Sequence, residues 1–468
     1  MTEIFYFNMN STNTSAQSFQ YESQFSKLQH SSALLHRKTI SEGNLLLKKG
    51  IWMYLLLLIF EGALRKWILP GLATPLLIIR DPLAVWMLVV ATQRGLFKLN
   101  SYIIWMGTIA FLGIFTAILF GHGNLFVALF GARILLIHFP LIFLIGKIFT
   151  YEDVIKMGKV ILFISIPMAV LVIMQFYSPQ SAWVNRGVGG DVSGAGFDGA
   201  MGFFRPPATF SFITGTISYY TLAASFIVFF WLNKKGVNPM ILYAATAALI
   251  IVIPLSISRS LFFGVALCLV FTAIAISRKS EYIGKMIFGA FIVAIVLSYL
   301  ASKSFFSTGT AAFTSRFETA NVAEGGLNGV LIDRFFGGMF AALKQSWNQS
   351  FFGLGQGLGT NVGSMLTTGG LSFLVAEGEW GRVIGEMGPL MGLIIIVIRL
   401  RLSLKIALAS YQSLAKGNLL PWMLLCIILI TLTQGQWAQP SNLGFTVLVC
   451  GLAIAALKGP AKNTTLSN

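Results

Sequence analysis

Five arginines, Arg186, Arg205, Arg259, Arg316 and Arg334, fall in the few polar stretches of a chain that is otherwise apolar. An arginine presents a planar fork of N–H donors that matches phosphate oxygens two at a time, and it keeps its charge at any physiological pH. Together they are candidates for a cradle around a diphosphate. The competing reading is that each binds a lipid headgroup or pairs with a nearby acid such as Glu318 or Asp333. Past Arg334 lies a glycine-dense run, Phe352-Gly353-Leu354-Gly355-Gln356-Gly357-Leu358-Gly359-Thr360. It follows no strand and lacks the Lys-Ser/Thr of a phosphate-binding loop, so it reads as a tight or flexible turn, or as backbone brought close to a ligand. Downstream stand Glu377, Glu379, Arg382 and Glu386. The last three are at i, i+3 and i+7, on one helical face, the spacing of ion pairs. Carboxylates at a membrane boundary are costly and often functional. Glu377 is a candidate general base toward a sugar hydroxyl, provided partial burial raises its pKa. Between Arg334 and Trp347 the spacing predicts a surface helix with Phe336, Phe340, Leu343 and Trp347 on one face, a stripe read as packing ahead of substrate stacking.

The elements that must position these residues are apolar helices. Of 468 residues, 56% are hydrophobic and 10% charged, against roughly 25% charged in a soluble domain. Long apolar runs recur, and a helical span needs about 20 such residues. Barrel strands would alternate every second residue, and these runs do not. In a soluble protein a net charge of +17 would suggest nucleic acid. In a membrane protein, basic residues set orientation, so the expected surroundings are membrane lipid and no nucleic acid. Cys268, Cys426 and Cys450 lie in apolar runs and read as small buried hydrophobes. No spacing resembles a metal motif, and neither metal nor cofactor is expected.

The expected fold is an all-α integral membrane protein with about twelve transmembrane helices and a large loop between spans 9 and 10. Residues 1–44 read as a disordered cytoplasmic tail. Residues 45–301 carry spans 1–9 and an outer loop at 178–206. Residues 302–382 form the large outer loop, 383–457 carry spans 10–12, and 458–468 form a second cytoplasmic tail. The tenth span is expected at 383–398, ended by Arg399, Arg401 and Lys405. Lys234-Lys235, Arg278-Lys279 and Arg399/Arg401 then fall on the cytoplasmic side, while Arg65, Lys66 and Arg80 fall outside, against the bias. Arg133 and His138, five apart in one span, are expected on different helix faces, each satisfied by another helix.

Four segments in order carry a resemblance. They are Arg205-Pro206-Pro207-Ala208-Thr209-Phe210, Ser258-Arg259-Ser260, Arg334 with Trp347 and Gly353-x-Gly355-x-Gly357, and Glu386-Met387-Gly388-Pro389-Leu390-Met391-Gly392. With them the chain resembles the bacterial O-antigen ligase and O-antigen polymerase-like family of polytopic membrane glycosyltransferases, over most of residues 100–457. The resemblance implies a donor glycan linked to undecaprenyl diphosphate and an acceptor that is a glycan or lipid-linked. It further implies metal-independent, inverting transfer at the periplasmic face of the bacterial inner membrane. Arg205 and Arg334 would bind the diphosphate, with Arg316 as a lesser candidate. Arg259 joins them by its place at the outer tip. Ligases carry a His-Asn pair nine residues before the Glu of the last motif; here Glu377-Gly378 stands there. The expected site is therefore Arg334 and Glu377 as catalytic residues, supported by Glu379, Arg382, Glu386 and Trp347. Without the ligase histidine, polymerisation of surface polysaccharide is favoured slightly over ligation, with other polysaccharide-assembly proteins as possible partners. The alternatives are a flippase for the lipid-linked glycan and a non-catalytic assembly protein. A flippase would carry charge along an interior path, where the sequence offers chiefly Arg133 and His138.

Overall fold

The computed structural model describes residues 44–233, 236–278, 281–324, 337–346, 349–369 and 374–460. Arg334 and Trp347 lie outside the described residues, as do all but the last residue of the tail expected at 1–44 and residues 461–468.

Helix α1 (residues 44–63) runs on into a π-helical turn, Leu64–Ile68. Leu47, Ile51, Tyr54, Leu55, Leu58 and Ile59 recur at helical spacing and are buried, while Met53, Leu56 and Phe60 on its other side are exposed. The same holds around the molecule. Trp105, Phe111, Phe126, Phe163, Phe291 and Leu404 are large, apolar and exposed. A bundle that is greasy on its outside as well as within is suited to lipid as its solvent.

After α1 come α2 (Arg80–Gln93), α3 (Ser101–Leu119), α4 (Leu125–Ile148), α5 (Tyr151–Tyr177), α6 (Ile213–Leu232), α7 (Pro239–Leu255), α8 (Arg259–Arg278) and α9 (Glu281–Ala301). Then follow α10 (Ser304–Glu324), α11 (Gly338–Gln345), α12 (Asn361–Thr368), α13 (Glu379–Ala415), α14 (Leu420–Gln434) and α15 (Pro440–Ala456). Among the described residues, seven helices are long and apolar enough to cross a membrane: α2 with the turns leading into it from Pro70, α3, α4, α5, α6, α8 and α13. The apolar helices α7, α14 and α15 are shorter. Helix starts follow from side chains that accept the free N–H groups of a first turn. Asn100 caps α3, Asn124 caps α4, and Thr150 with Asp153 forms a reciprocal box at the start of α5. Helix α6 is buried along most of its length among α5, α7, α8, α14 and α15.

Polar contacts define the two ends of the bundle. At the terminal end, Lys48 pairs with Asp153 at 2.6 Å, and Lys458 donates to the carbonyls of Lys147 and Phe149. At the opposite, loop end, Arg65 reaches the Ala73 carbonyl and the Ser211 hydroxyl, Lys66 donates to the Ala208 carbonyl, and Trp67 donates to the Trp183 carbonyl. A small hairpin, β1 (Phe197–Ala200) and β2 (Phe203–Arg205), stands at this end. Met201 and Gly202 both have positive φ, 53° and 75°, the two-residue turn whose twist suits a hairpin.

Two stretches carry more helix than their sequence suggests. The stretch from 302 to 382, expected as a large outer loop with a surface helix between Arg334 and Trp347, holds α10, α11 and α12 among its described residues. Phe313 and Phe317 of α10, four apart on one face, contact Phe262, and Phe317 also contacts Phe263 of α8, which gives this polar segment a reason to be helical. The helix expected to hold the tenth span at 383–398 begins at Glu379 and runs on past Arg399 to Ala415. It is broken at Gly388 (φ 75°, ψ 168°), a conformation essentially reserved for glycine. There the chain folds back, so that a Cβ on Gly392 would stand 2.7 Å from the Cα of Ile384. Residues 379–387 thus form a short helix laid against the long one.

Candidate functional site

The short helix carries the charged face expected of it, and the structure completes that face with a residue the sequence reading placed elsewhere. Arg382 donates to both oxygens of Glu379, from Nε and Nη2, each at 2.9 Å, and from Nη1 to Glu386 at 2.8 Å. Arg399 donates from Nη1 to Glu379 at 2.6 Å, from Nε to the Leu432 carbonyl and from Nη2 to the Gly435 carbonyl, both at 2.8 Å. Its guanidinium lies 4.0 Å from the Trp437 ring centroid. All four charged side chains are buried. Ions buried this way are tolerated only when paired and fully hydrogen-bonded, and these are.

The glycine run closes the same network. Glu386 accepts the backbone N–H of Gly357 at 3.1 Å and of Gly359 at 2.7 Å. Gly353, Gly355 and Gly357 have φ of 73°, 108° and 92°. A Cβ on Gly357 would stand 2.2 Å from the Val127 carbonyl oxygen. The turn therefore needs glycine both for its shape and for its contact with α4, and the anion that its N–H groups hold is the protein's own carboxylate. A cavity of about 20 Å³ lies beside the network, lined by Gln356, Glu379, Arg382, Glu386, Arg399 and Trp437 among others, room for about one water. Glu377 stands exposed two residues before the short helix, and its backbone carbonyl accepts from the Gln436 side chain. The partial burial on which its role as a base was premised is not found.

At the loop end, Arg205, Arg259 and Arg316 are each half-buried. Arg205 donates to the Asp198 carbonyl at 3.0 Å and lies over the Phe197 ring. Arg259 opens α8. Arg316 adjoins Phe317, whose ring meets Phe262 and Phe263 in the first turn of α8. Helix α10 also contacts β1, and a Cβ on Gly199 of β1 would stand 2.7 Å from the side chain of Ile257 at the α7–α8 tip. The elements bearing the three arginines therefore meet at one corner. Arg186 is exposed after the turn Trp183–Asn185. In the same loop the Ser193 hydroxyl and backbone N–H donate to Asp191 and hold its carboxyl below the usual carboxylate range.

A second buried network joins α1, α2 and α4, and most of it escaped the sequence reading. Glu61 accepts from Arg80 at 3.1 Å and from Arg65 at 3.4 Å. Asp81 accepts from Arg133 through both oxygens, at 2.9 and 3.0 Å, and meets His138 Nε2 at 2.8 Å. The Tyr54 hydroxyl lies 3.2 Å from His138 Nδ1. An ionised Asp81 only accepts, which places the imidazole proton on Nε2 and leaves Nδ1 to accept from Tyr54. Arg133 and His138 do not face apart. Residues Ile134–His138 form a π-helical turn, whose i→i+5 bonds bring residues five apart onto one side. Arg65, Lys66 and Arg80, which ran against the orientation bias, are buried here. They answer internal partners, so they say little about sidedness. The signal available in sequence was Asp81, an acid inside an otherwise apolar stretch.

Cys268, Cys426 and Cys450 are buried thiols, with the Ser225 hydroxyl between the first two. Among the described residues, no three His, Cys, Asp or Glu side chains are grouped to hold a metal. No protein-family model, no curated protein and no solved structure matches the chain.

Proposed function

We propose that this is a membrane glycosyltransferase that moves a glycan from undecaprenyl diphosphate to an acceptor hydroxyl, extending or ligating surface polysaccharide as O-antigen polymerases and ligases do. The observation that carries the reading is the meeting of the elements bearing Arg205, Arg259 and Arg316 at the loop end of a bundle with an apolar exterior. An amphipathic donor suits that arrangement, with its polyprenyl tail in lipid along the helices and its diphosphate at the arginines. In this reading the bundle spans the bacterial inner membrane twelve times, the terminal end is cytoplasmic and the loop end periplasmic.

The chemistry is a single displacement. The acceptor hydroxyl attacks the anomeric carbon, the bond from that carbon to the diphosphate oxygen breaks, and the bonding pair leaves with the diphosphate. The hydroxyl proton passes to Glu377, which in this reading acts as an exposed carboxylate, without the burial the sequence suggested. The donor is already activated, so the protein's part is to position two substrates and to hold the charge that grows on the leaving group. Arg334, in the segment outside the described residues, completes the diphosphate site in this reading.

A second reading has its own observation. Lys66, Arg65, Glu61, Arg80, Arg133 and His138, all buried, and the half-buried Asp81 run inward from the loop end as a chain of polar groups. Such a chain is what a transporter of the lipid-linked glycan would need. Deleting the gene in the native host and resolving surface and lipid-linked glycans on a gel separates the two. Single repeat units in place of a ladder mean polymerase, and full-length polymer stranded on its carrier means ligase. Units trapped at the cytoplasmic face mean transport, and an unchanged pattern contradicts both readings.

A further inference from the structure

The network around the short helix 379–387 is built so that one residue at its far end sets the geometry of another at its near end. Arg399 is 1% exposed, and all three directions of its guanidinium are committed, to the Leu432 carbonyl, to Glu379 and to the Gly435 carbonyl. It is buried and lines the cavity beside the network. Its two carbonyl partners lie at the end of α14, where the chain breaks before Gln436 and Trp437. Gln436 in turn holds the backbone carbonyl of Glu377. Arg399 thus grips the segment around Glu377 twice, through Glu379 on one side and through the Gly435–Gln436 turn on the other. Arg382 and Glu386 pass the same restraint to the amides of Gly357 and Gly359, and His122 Nε2 lies 3.1 Å from the Gln356 carbonyl of that turn.

The clamp is not filled in on all sides. It borders a cavity of about 20 Å³, room for about one water. Replacing Arg399 would release Glu379 and the Gly435 carbonyl together, so displacement of the short helix is the expected consequence.

We infer that Arg399 is a positioning residue for Glu377: by pinning Glu379 and the Gly435 turn together, it sets where the exposed Glu377 carboxylate stands at the loop end. This rests on the proposed role of Glu377 as the base.

The test uses the full chain in nanodiscs, with undecaprenyl-diphosphate-linked glycan as donor, and compares wild type with Arg399→Met, Arg399→Lys and Glu379→Gln. Hydrogen exchange across residues 353–360 and 374–387 reads the clamp independently of activity. In Arg399→Met both segments exchange faster, and kcat drops on the order of 100-fold, the effect of a misplacement of about 1 Å, while KM for the donor is unchanged. Arg399→Lys behaves like Arg399→Met, because a point charge cannot serve three acceptors in three directions. Should Arg399→Met fail to fold, Glu379→Gln is read in the same way, since it leaves Arg399 both carbonyls. Faster exchange with wild-type kcat overturns the positioning role. So does a loss of activity that only follows the loss of folded protein. Unchanged exchange overturns the clamp itself. If wild type transfers no glycan, the proposed function fails, and the exchange measurement still decides whether Arg399 holds the Glu377 segment.

Discussion

Arg399 reaches back across Gly388 to Glu379, twenty positions earlier in the chain, and bonds it at 2.6 Å. In a straight helix, residues that far apart would be separated by about 30 Å. The contact exists because the chain reverses at Gly388 and lays residues 379–387 against the helix that follows. Basic residues closing an apolar run are ordinarily markers of a membrane boundary. Here one of them is an interior partner.

Gly388→Ala should disrupt this reversal. An added Cβ would stand 2.0 Å from the Phe351 carbonyl oxygen, and the backbone conformation alone costs a non-glycine residue about 1–3 kcal/mol. The expected outcome is a sharp fall in folded yield and in thermal stability in detergent. Gly378→Ala, where a Cβ meets nothing within 4 Å, should leave both unchanged and serves as the control.

Asp81→Asn should be more damaging than removal of the whole ion pair. It leaves Arg133 and His138 buried without their anion, a loss of roughly 3–5 kcal/mol. Asp81→Asn combined with Arg133→Met removes both charges and should recover part of that loss. Thermal unfolding of the two variants in one detergent decides it, and a double variant less stable than the single one would contradict the account.

Much of this was legible in the sequence, for identifiable reasons. The apolar runs gave the helices, and the spacing of Glu379, Arg382 and Glu386 gave their shared face, because a helical period survives any tertiary arrangement. What was hidden depended on departures from that period. Arg133 and His138 converge through a π turn, and Arg399 meets Glu379 through one positive φ at Gly388. The glycine run reads as a turn or as backbone close to a ligand, but the group its amides meet is Glu386, 27 positions beyond Gly359, which no local pattern connects to it.

Arg205→Ala and Arg334→Ala should each lower glycan transfer by about 100- to 1,000-fold, the effect of removing one preorganised donor to a developing anion. Expression should hold, since Arg205 stands half-buried on the hairpin at the loop end, outside the buried core. Lysine at either position should restore little, because it lacks the fork. Wild-type rates in both alanine variants would remove these arginines from the site.

Glu377→Gln tests the base. A general base must take up the acceptor's proton, so the glutamine variant, which cannot, should be slow across the whole pH profile. A variant with wild-type rate and profile would take Glu377 out of the mechanism.

The central claim is the transfer itself, and the most direct measurement is made on the purified chain in vesicles carrying an undecaprenyl-diphosphate-linked glycan and an acceptor glycan. The account expects free undecaprenyl diphosphate and a lengthened glycan to appear together, in equal amounts, and both to be lost with Arg205→Ala. Movement of intact donor between leaflets with no release of undecaprenyl diphosphate would contradict it.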